Sequence, residues 1–309
     1  MRKYALSHVA FLITLLLPHW AWAADVLFKP VAPGVFAHIG ETGPRTYDNE
    51  GLNNNLGLVV TADGALLIDS GASFQGAKDI HAAAKKVTSQ PIKWVINTGG
   101  QDHRWLGNGY FLDQGAQIMA HSGGKADMIA RGGLQLAALQ PVLKEKLQGT
   151  HPVLPNRWLT EPQERLELGG TPVEVIYRGG AHTPGDLIVW LPEQKVAFTG
   201  DVVYIDRMLG IFPFSHTGRW MDSLQALQSL KPETVVPGHG RVATLDQVQA
   251  DTVDYLQALR AHMTIEVREM TNISEAVRSF NAQPFMRLLN AVDLHPGNAS
   301  RTYLELERE

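Results

Sequence analysis

The sequence contains no cysteine, so disulfide bonds and thiolate metal ligands are both excluded. It also lacks a strong excess of charge: the net charge is −4 and there is no long run of Lys or Arg, which argues against nucleic acid as a partner. After the N-terminal region, no apolar stretch approaches the ~20 residues that a membrane-spanning helix needs. We therefore expect no membrane span in the mature form. What is present, with 44% hydrophobic residues, is a chain that can bury a large core, as a globular domain of enzyme size does. We expect its partner to be a small-molecule substrate.

The first residues follow the three-zone pattern of a secretory signal peptide. Arg2 and Lys3 provide positive charge, Val9–Leu17 is apolar, and Ala21–Ala23 fits a small-x-small cleavage site. The apolar run is much shorter than the ~20 residues of a spanning helix, which favours cleavage over a membrane anchor. We expect a signal peptide over residues 1–23, a mature chain from Ala24 and a periplasmic location.

Short apolar runs alternate with helical patterns along the rest of the chain, which indicates a mixed α/β protein. The expected strands are Gly34–Ile39, Leu56–Thr61, Ala65–Ile68, Trp94–Ile96, Gln117–Ala120, Pro172–Tyr177, Leu187–Leu191, Val196–Thr199 and Thr234–Val236. The expected helices are Gly76–Lys86, Gly124–Arg131 (ended by Gly132-Gly133), Met221–Leu230 and a long one from Leu245 to about Met270. The proline-containing segment Gln140–Glu164 is expected to be a surface loop beside a substrate pocket.

At four places an apolar strand runs into a loop that contains a potential metal ligand. The ligands are Asp102-His103 after Trp94–Ile96, His182 after Val175–Tyr177, Asp201 after Ala197–Thr199, and His239 after Val235-Val236. The carboxyl ends of strands are where α/β folds place ligands and catalytic groups. Imidazoles and carboxylates are ligands that Zn²⁺ prefers. One loop histidine would be weak evidence, but four such loops predict a zinc site.

The motifs in these loops resemble those of the metallo-β-lactamase superfamily. Gly180–Gly185 is similar to its GHTPG element, Thr199–Asp201 to its TGD element and Pro237–Gly240 to its PGHG element, while Asn54-Asn55 and Leu66–Gly71 resemble its opening. The resemblance implies a four-layer αββα sandwich, with two sheets inside and helices outside. It implies one hydrolase domain over residues 24–309, with a C-terminal helical extension from about residue 245.

The resemblance also implies roles for three residues. His182 would bind a first metal ion, His239 a second, and Asp201 would bridge the two. The nucleophile would be water on the metal, whose pKa falls from ~16 to about 7. No serine or cysteine nucleophile is then needed, which agrees with the absence of cysteine.

The chain departs from the superfamily at its best-known motif, His-x-His-x-Asp-His. The segment 97–108 reads NTGGQDHRWLGN. Aligned without a gap on its two ends, it has Gly99 and Gln101 at the first two histidine positions, His103 at the aspartate position and Arg104 at the last histidine position. A shift of one residue instead keeps Asp102-His103 as the Asp-His pair. In both registers the first two histidines are missing. The first metal site then keeps only His182, with Gln101 as a weak oxygen donor.

We therefore expect one zinc ion in the second site, held by His103, Asp201 and His239, with or without Asp102. Three protein ligands plus one water is the usual count for a catalytic zinc. The sequence leaves open whether His182 reaches this metal or acts as a hydrogen-bonding or proton-transfer group. Asp102 and Arg104 are the candidate catalytic residues. Arg104 is expected either to replace the charge of the first metal, orienting an anionic substrate or stabilising an oxyanion, or to form a salt bridge at the sheet edge.

A narrower resemblance comes from Asn97–Asn108, Tyr110-Phe111 and the terminal Tyr303–Glu307. With the signal peptide, these segments are similar to the quinoprotein relay system zinc metallohydrolases. That family is periplasmic and is associated with pyrroloquinoline-quinone-dependent dehydrogenases and their cytochromes. It implies a quinoprotein dehydrogenase or cytochrome as a partner.

Other polar residues are weaker candidates. His121 is expected to be structural, His216 to lie in a loop that overhangs the site, and Asp69 to support the metal ligands from behind. The leading hypothesis is zinc-dependent hydrolysis of an ester, thioester or amide-like bond. The rival hypotheses are a non-catalytic metal-binding accessory protein of a dehydrogenase or cytochrome system, a β-lactamase, and an iron-dependent sulfur-oxidising relative.

Overall fold

The computed structural model describes residues 26–309, whose strands form two sheets. The expected signal peptide and the mature start at Ala24 lie outside the described residues. The seven-stranded sheet contains, in spatial order, β1 Lys29–Ala32, β2 Val35–His38, β3 Leu56–Val60, β4 Ala65–Ile68, β5 Ile92–Ile96, β6 Gln117–His121 and β7 Arg157–Leu159. Strands β1 to β4 are antiparallel neighbours and β4 to β7 are parallel ones.

The five-stranded sheet is formed by the second half of the chain. Its strands are β8 Gln163–Leu168, β9 Thr171–Ile176, β10 Ile188–Leu191, β11 Val196–Phe198 and β12 Thr234–Val236, in the spatial order β12-β11-β10-β9-β8. Its only parallel pair in the described chain is β11 with β12, so these two strands end at the same edge. That edge carries the loops with Asp201 and His239.

Helices cover the outer faces of both sheets. They are α1 Phe74–Val87, α2 Asp102–Trp105, α3 Asn108–Asp113, α4 Lys125–Leu143, α5 Thr217–Leu230, α6 Leu245–Val248, α7 Asp254–Arg268, α8 Ile273–Ser279 and α9 Ala291–Leu306. Helix α1 begins where the Ser73 hydroxyl accepts a hydrogen bond from the Gly76 amide, and it buries Ala77, Ile80 and Ala84. Within residues 26–309, no helix is both long enough and apolar enough to cross a bilayer.

Three buried clusters define the layers. The inner faces of the two sheets share one cluster, which includes Leu66 and Ile96 from the first sheet and Val173 and Val189 from the second. A second cluster packs α1 and α3 on the first sheet, and a third packs α5, α7 and α9 on the second sheet. The expected four-layer αββα sandwich is confirmed.

The segment after Gly124 differs from the sequence-based expectation. Helix α4 was expected to stop at Gly132-Gly133, but it continues to Leu143 and includes Pro141 in its last turn. The reason is packing: a Cβ on Gly132 would lie 2.8 Å from the Trp105 ring and 3.0 Å from Pro152. The glycine therefore allows the helix to approach α2, and the expected loop over 140–164 is shorter than the sequence suggested.

The long helix expected from Leu245 is present with one irregularity. Helix α6 continues through a single π-helical segment, Gln249–Val253, into α7. In this segment the Thr252 hydroxyl donates to the Tyr204 carbonyl at 2.6 Å, and Asp251 accepts from the Asp206 amide at 2.9 Å. The irregular turn thus holds the loop that follows Asp201.

Candidate metal centre

Three side chains from three strand ends converge at one edge of the sandwich. His103 lies on α2 after β5, Asp201 on a single 3₁₀ turn after β11, and His239 in the loop after β12. One ligand atom from each lies within 4.8 Å of the other two. His103 Nε2 is 3.6 Å and His239 Nε2 is 3.3 Å from the Asp201 carboxylate, and all three residues are buried.

A hydrogen bond on the far side of His239 determines which of its ring nitrogens faces Asp201 with a lone pair. His239 Nδ1 is 2.8 Å from the carbonyl oxygen of Asn53, which can only accept, so Nδ1 carries the proton and Nε2 is unprotonated. His103 Nδ1 lies 3.2 Å from the Asp102 carboxylate, which accepts, and 3.2 Å from Arg45 Nη2, which donates. The buried Nε2 of His103 has no hydrogen-bond partner among the described residues.

The charge state of His239 agrees with this tautomer. Burial lowers the pKa of His239 to about 3, although Asp201 acts in the opposite direction, so the ring is neutral. Burial alone would raise the pKa of Asp201, but the Arg104 guanidinium is the largest influence that opposes burial, and that pKa lies well below its usual range. The lone pair of His239 Nε2 and the ionised Asp201 carboxylate thus face each other, with His103 Nε2 beside them. A divalent cation fits this donor set, and two nitrogens with one oxygen suit zinc.

Arg104 lies behind Asp201 and does not line the pocket. Its Nη2 and Nε donate to the two carboxylate oxygens of Asp201 at 2.6 and 3.2 Å, and its Nη1 donates to Asp69 at 2.8 Å. The guanidinium is closed to solvent. This geometry corrects the expectation that Arg104 orients a substrate: every bond it makes is internal, and it matches the salt-bridge alternative. Asp69, which also accepts the Thr98 amide at 2.7 Å, supports the centre through Arg104.

Asp102 is a positioning residue and is not one of the three converging groups. Its carboxylate contacts Arg45 Nη2 at 2.5 Å and accepts from the backbone amide of His103 at 2.8 Å. Burial would raise the pKa of Asp102, but Arg45 and His103 outweigh burial and keep the group ionised. The geometry favours the ungapped register, in which His103 takes the aspartate position of the superfamily motif and Arg104 the last histidine position.

His182 lies outside the group of three, although it lines the same pocket. Its Nδ1 is 2.7 Å from the carbonyl oxygen of Gly210, so its Nε2 is also unprotonated in the neutral ring. Burial lowers the pKa of His182, which keeps the ring neutral. At the first missing histidine position, a Cβ on Gly99 would lie 2.1 Å from Asp186 Oδ1. A side chain there would require Asp186 to move, and the described residues offer the first site only His182 and Gln101.

Asparagine side chains brace the loops around the centre. Asn55 Nδ2 donates to the carbonyls of Pro237 and Gly240 at 2.9 and 2.8 Å, which fixes the loop that contains His239. The amides of Asn97 and Asn108 bond each other in both directions, at 3.0 and 2.9 Å, and close the turn around α2. These three asparagines therefore hold the loops of the centre in place.

The pocket beside the three converging groups has a volume of about 110 Å³. Its lining includes four residues that the sequence did not single out: Arg45, Tyr204, Arg207 and Phe212. No local sequence pattern identifies them, because each reaches the pocket from a loop.

Two weaker candidates from the sequence lie outside this pocket. His121 stacks on Tyr177 with ring centroids 3.6 Å apart, and His216 Nδ1 lies 2.9 Å from Glu305 at the start of α5.

An αββα sandwich with imidazole and carboxylate groups at the strand ends defines a class of metal-binding hydrolytic folds, and comparison with known proteins places the chain within it. The profile of the metallo-beta-lactamase superfamily matches residues 49–239. The chain therefore belongs to the metallo-beta-lactamase superfamily, whose members are typically hydrolases.

Relatives in this superfamily act on different substrates. The chain is 27% identical over 201 residues to a metallo-beta-lactamase type 2 of Bacillus sp. (strain 170), covering 63% of this chain and 70% of that protein. It is 35% identical over 231 residues to the acyl-coenzyme A thioesterase MBLAC2 of Gallus gallus, covering 68% and 79%. A metallo-beta-lactamase structure from Pontibacter korlensis superposes with a TM-score of 0.58 at 24% identity, covering 75% of this chain and 99% of that one, which shows the shared fold.

Proposed function

We propose that the protein is an exported zinc-dependent hydrolase that uses one metal ion to cleave an ester, thioester or amide-like bond. The observation that carries the proposal is the convergence of His103 Nε2, His239 Nε2 and the Asp201 carboxylate at buried strand ends. The buried Nε2 of His103 has no hydrogen-bond partner among the described residues, and buried polar groups in folded proteins usually have one, which supports a role as a metal ligand.

Each residue of the centre has a separate task in this proposal. His103, Asp201 and His239 would hold the metal, Asp102 positions His103 by accepting its backbone amide, and Arg104 keeps Asp201 ionised. A bound zinc ion supplies an acidic water and polarises the oxygen of the scissile bond. His182, neutral and in the same pocket, is positioned to accept a proton there.

Metal content tests the proposal directly. Elemental analysis of the purified wild type should give about one zinc per chain, and His103→Ala and His239→Ala should each lose it, since two protein ligands rarely retain zinc. His121→Ala is the matched control, because His121 is buried but packs on Tyr177, outside the pocket. It should keep the full zinc content.

The other outcomes discriminate between hypotheses. Two metal ions per chain would contradict the single-site assignment, since the first site would then be rebuilt around His182 and Gln101. No metal in the wild type would contradict the hydrolase proposal and favour a non-catalytic accessory role without a metal. With zinc present, hydrolysis of a nitrophenyl ester, a thioester and a chromogenic cephalosporin would separate an esterase or thioesterase from a β-lactamase.

Export and a quinoprotein setting are part of the proposal and rest on sequence resemblance alone. The three-zone pattern of residues 1–23 supports periplasmic export. N-terminal sequencing of the protein from the periplasmic fraction should begin at Ala24, and a retained Met1 would contradict cleavage. A quinoprotein dehydrogenase or cytochrome partner should co-purify from the same fraction. If neither does, the proposed quinoprotein setting is contradicted.

A further inference from the structure

Helix α4 has one apolar side that packs on the protein and a second that faces solvent. On the inner side, Met128 and Leu139 belong to the same buried cluster as Trp105 of α2. The outer side is a stripe of small and apolar residues at helical spacing, all exposed: Ala126, Ile129, Ala130, Gly133, Leu134 and Ala137. Ile129 is 59% and Leu134 is 70% exposed. A continuous apolar surface of this kind indicates an interaction site.

The charged residues of α4 are turned away from this outer face. Arg131 donates from Nε and Nη2 to the two carboxylate oxygens of Asp127, both at 2.6 Å, and its Cζ lies 3.8 Å from the centroid of the Phe214 ring. No charged residue occurs from Gly132 to Leu143. Two identical copies of such a face can approach each other without like-charge repulsion.

Gly133 lies at the middle of the stripe, which extends from Ala126 to Pro141, and no contact within the described protein explains it. A Cβ on the neighbouring Gly132 would lie 2.8 Å from the Trp105 ring, whereas a Cβ on Gly133 would meet nothing within 4 Å beyond its own helix. Glycine is less favourable in a helix interior than every residue except proline. Because a missing side chain lets another backbone approach closely, Gly133 indicates a helix contact from outside.

The charges at the two ends of the stripe favour an antiparallel pair. Lys125, at the N-terminal end, lies over the Trp158 ring and pairs with no carboxylate among residues 26–309. Glu145 follows the C-terminal end, where the last helix carbonyls also carry partial negative charge. A two-fold axis beside Gly133 brings each Lys125 to the C-terminal end of α4 in the other copy, whereas a parallel pair would bring the two lysines together. Self-complementary two-fold contacts are the commonest kind in homo-oligomers.

We propose that the outer face of α4 is a homodimer interface, in which a second copy of this chain packs antiparallel across Gly133 and Leu134. The stripe is about 22 Å long and a helix contact is roughly 10 Å wide, which gives on the order of 200 Å² per copy. A standard interface buries about 800 Å² per partner, so the dimer is weak and reversible. This surface lies on the opposite side of α4 from α2, and it adds an interaction to the proposed function.

Sedimentation velocity of the purified protein tests the interface, over a concentration series that reaches about 1 mM. The wild type should change reversibly from the monomer mass towards the dimer mass. Leu134→Glu places two negative charges beside the two-fold axis and should raise the dissociation constant at least about tenfold. Ile265→Glu is the matched control, because it adds the same charge at a 53% exposed position on α7, and it should leave the dissociation constant unchanged.

A mixture of two variants tests whether the face pairs with itself. Leu134→Lys alone should also weaken the dimer, but an equimolar mixture with Leu134→Glu should restore association, because opposite charges then face each other across the axis. Gly133→Leu is a further variant in case the charged variants do not fold. It should weaken the dimer without lowering the melting temperature of the monomer, since leucine is the better helix former and a Cβ there meets nothing within 4 Å.

A wild type that stays monomeric throughout the series would overturn the inference. So would a dimer that Ile265→Glu weakens as much as Leu134→Glu does, or a mixture that does not associate. Binding of the monomeric wild type to phosphatidylglycerol vesicles, lost in Leu134→Glu, would assign the face to a membrane surface and would also overturn it.

Discussion

At the scale of single residues, the charge balance of the centre depends on Arg104. Its guanidinium joins Asp201 to Asp69 through three hydrogen bonds of 2.6 to 3.2 Å, in a region closed to solvent. Burial would lower the pKa of Arg104, but the two aspartates outweigh burial and raise it, so the residue stays charged. Removing one member of such a buried set leaves an uncompensated charge.

Replacing Arg104 by methionine should therefore destabilise the protein strongly. The variant leaves Asp69 and Asp201 without a counter-charge, and the free energy of unfolding of the metal-free protein should fall by about 3–5 kcal/mol in urea titrations. Arg165→Met, which breaks an exposed pair with Glu167, should change it by at most about 1 kcal/mol. A loss in Arg104→Met no larger than in this control would contradict the role given to Arg104.

At the scale of elements, helix α9 positions the loop that faces the metal centre. Asn298 Oδ1 accepts from the Ile211 amide at 2.7 Å, and its Nδ2 donates to the Leu209 carbonyl at 2.8 Å. Between these residues, the Gly210 carbonyl accepts the proton of His182 Nδ1. The C-terminal helices therefore take part in the site, although they lie beyond the segment that matches the superfamily profile.

Asn298→Ala should loosen this loop. The change leaves the Ile211 amide and the Leu209 carbonyl without partners, so the free energy of unfolding should fall by about 2–3 kcal/mol. Hydrogen exchange of the amides over residues 207–212 should become faster, because the Asn298 hydrogen bonds that hold this loop are lost. Asn281→Ala is the control: Asn281 is exposed and bonds only the nearby Gln283 amide. Unchanged exchange over 207–212 in Asn298→Ala would show that α9 does not hold the loop.

Elements with a local pattern could be predicted from the sequence, and contacts between distant loops could not. The strand-to-loop pattern located His103, Asp201 and His239 because each follows an apolar strand and lies beside glycines. Gly132 was misinterpreted as a helix end, since its role depends on Trp105, far away in the chain. From the sequence alone, Asp102 and His103 could be aligned with the superfamily motif in two registers. The contact of Asp102 with Arg45 favours one register, and nothing in the local sequence indicates that contact.

At the scale of the whole molecule, the centre lies where the two sheets meet. His103 follows a strand of the seven-stranded sheet, whereas Asp201 and His239 follow strands of the five-stranded sheet. The backbone joins the two halves here as well, since the Asn55 amide donates to the Gly238 carbonyl at 2.9 Å. A metal ion at this position would bridge the two halves of the sandwich, so that its binding contributes to the stability of the whole fold.

Removing the metal should therefore lower the melting temperature of the entire protein. A ligand that binds only the folded state at 100 times its dissociation constant adds about 2.7 kcal/mol. At about 2–4 °C per kcal/mol for a chain of this size, calorimetry should show a decrease of about 5–10 °C after chelation. One equivalent of zinc should reverse it. In His103→Ala the chelator should have no effect, because the bridge between the sheets is already lost. Identical melting with and without zinc in the wild type would mean that no metal joins the two sheets.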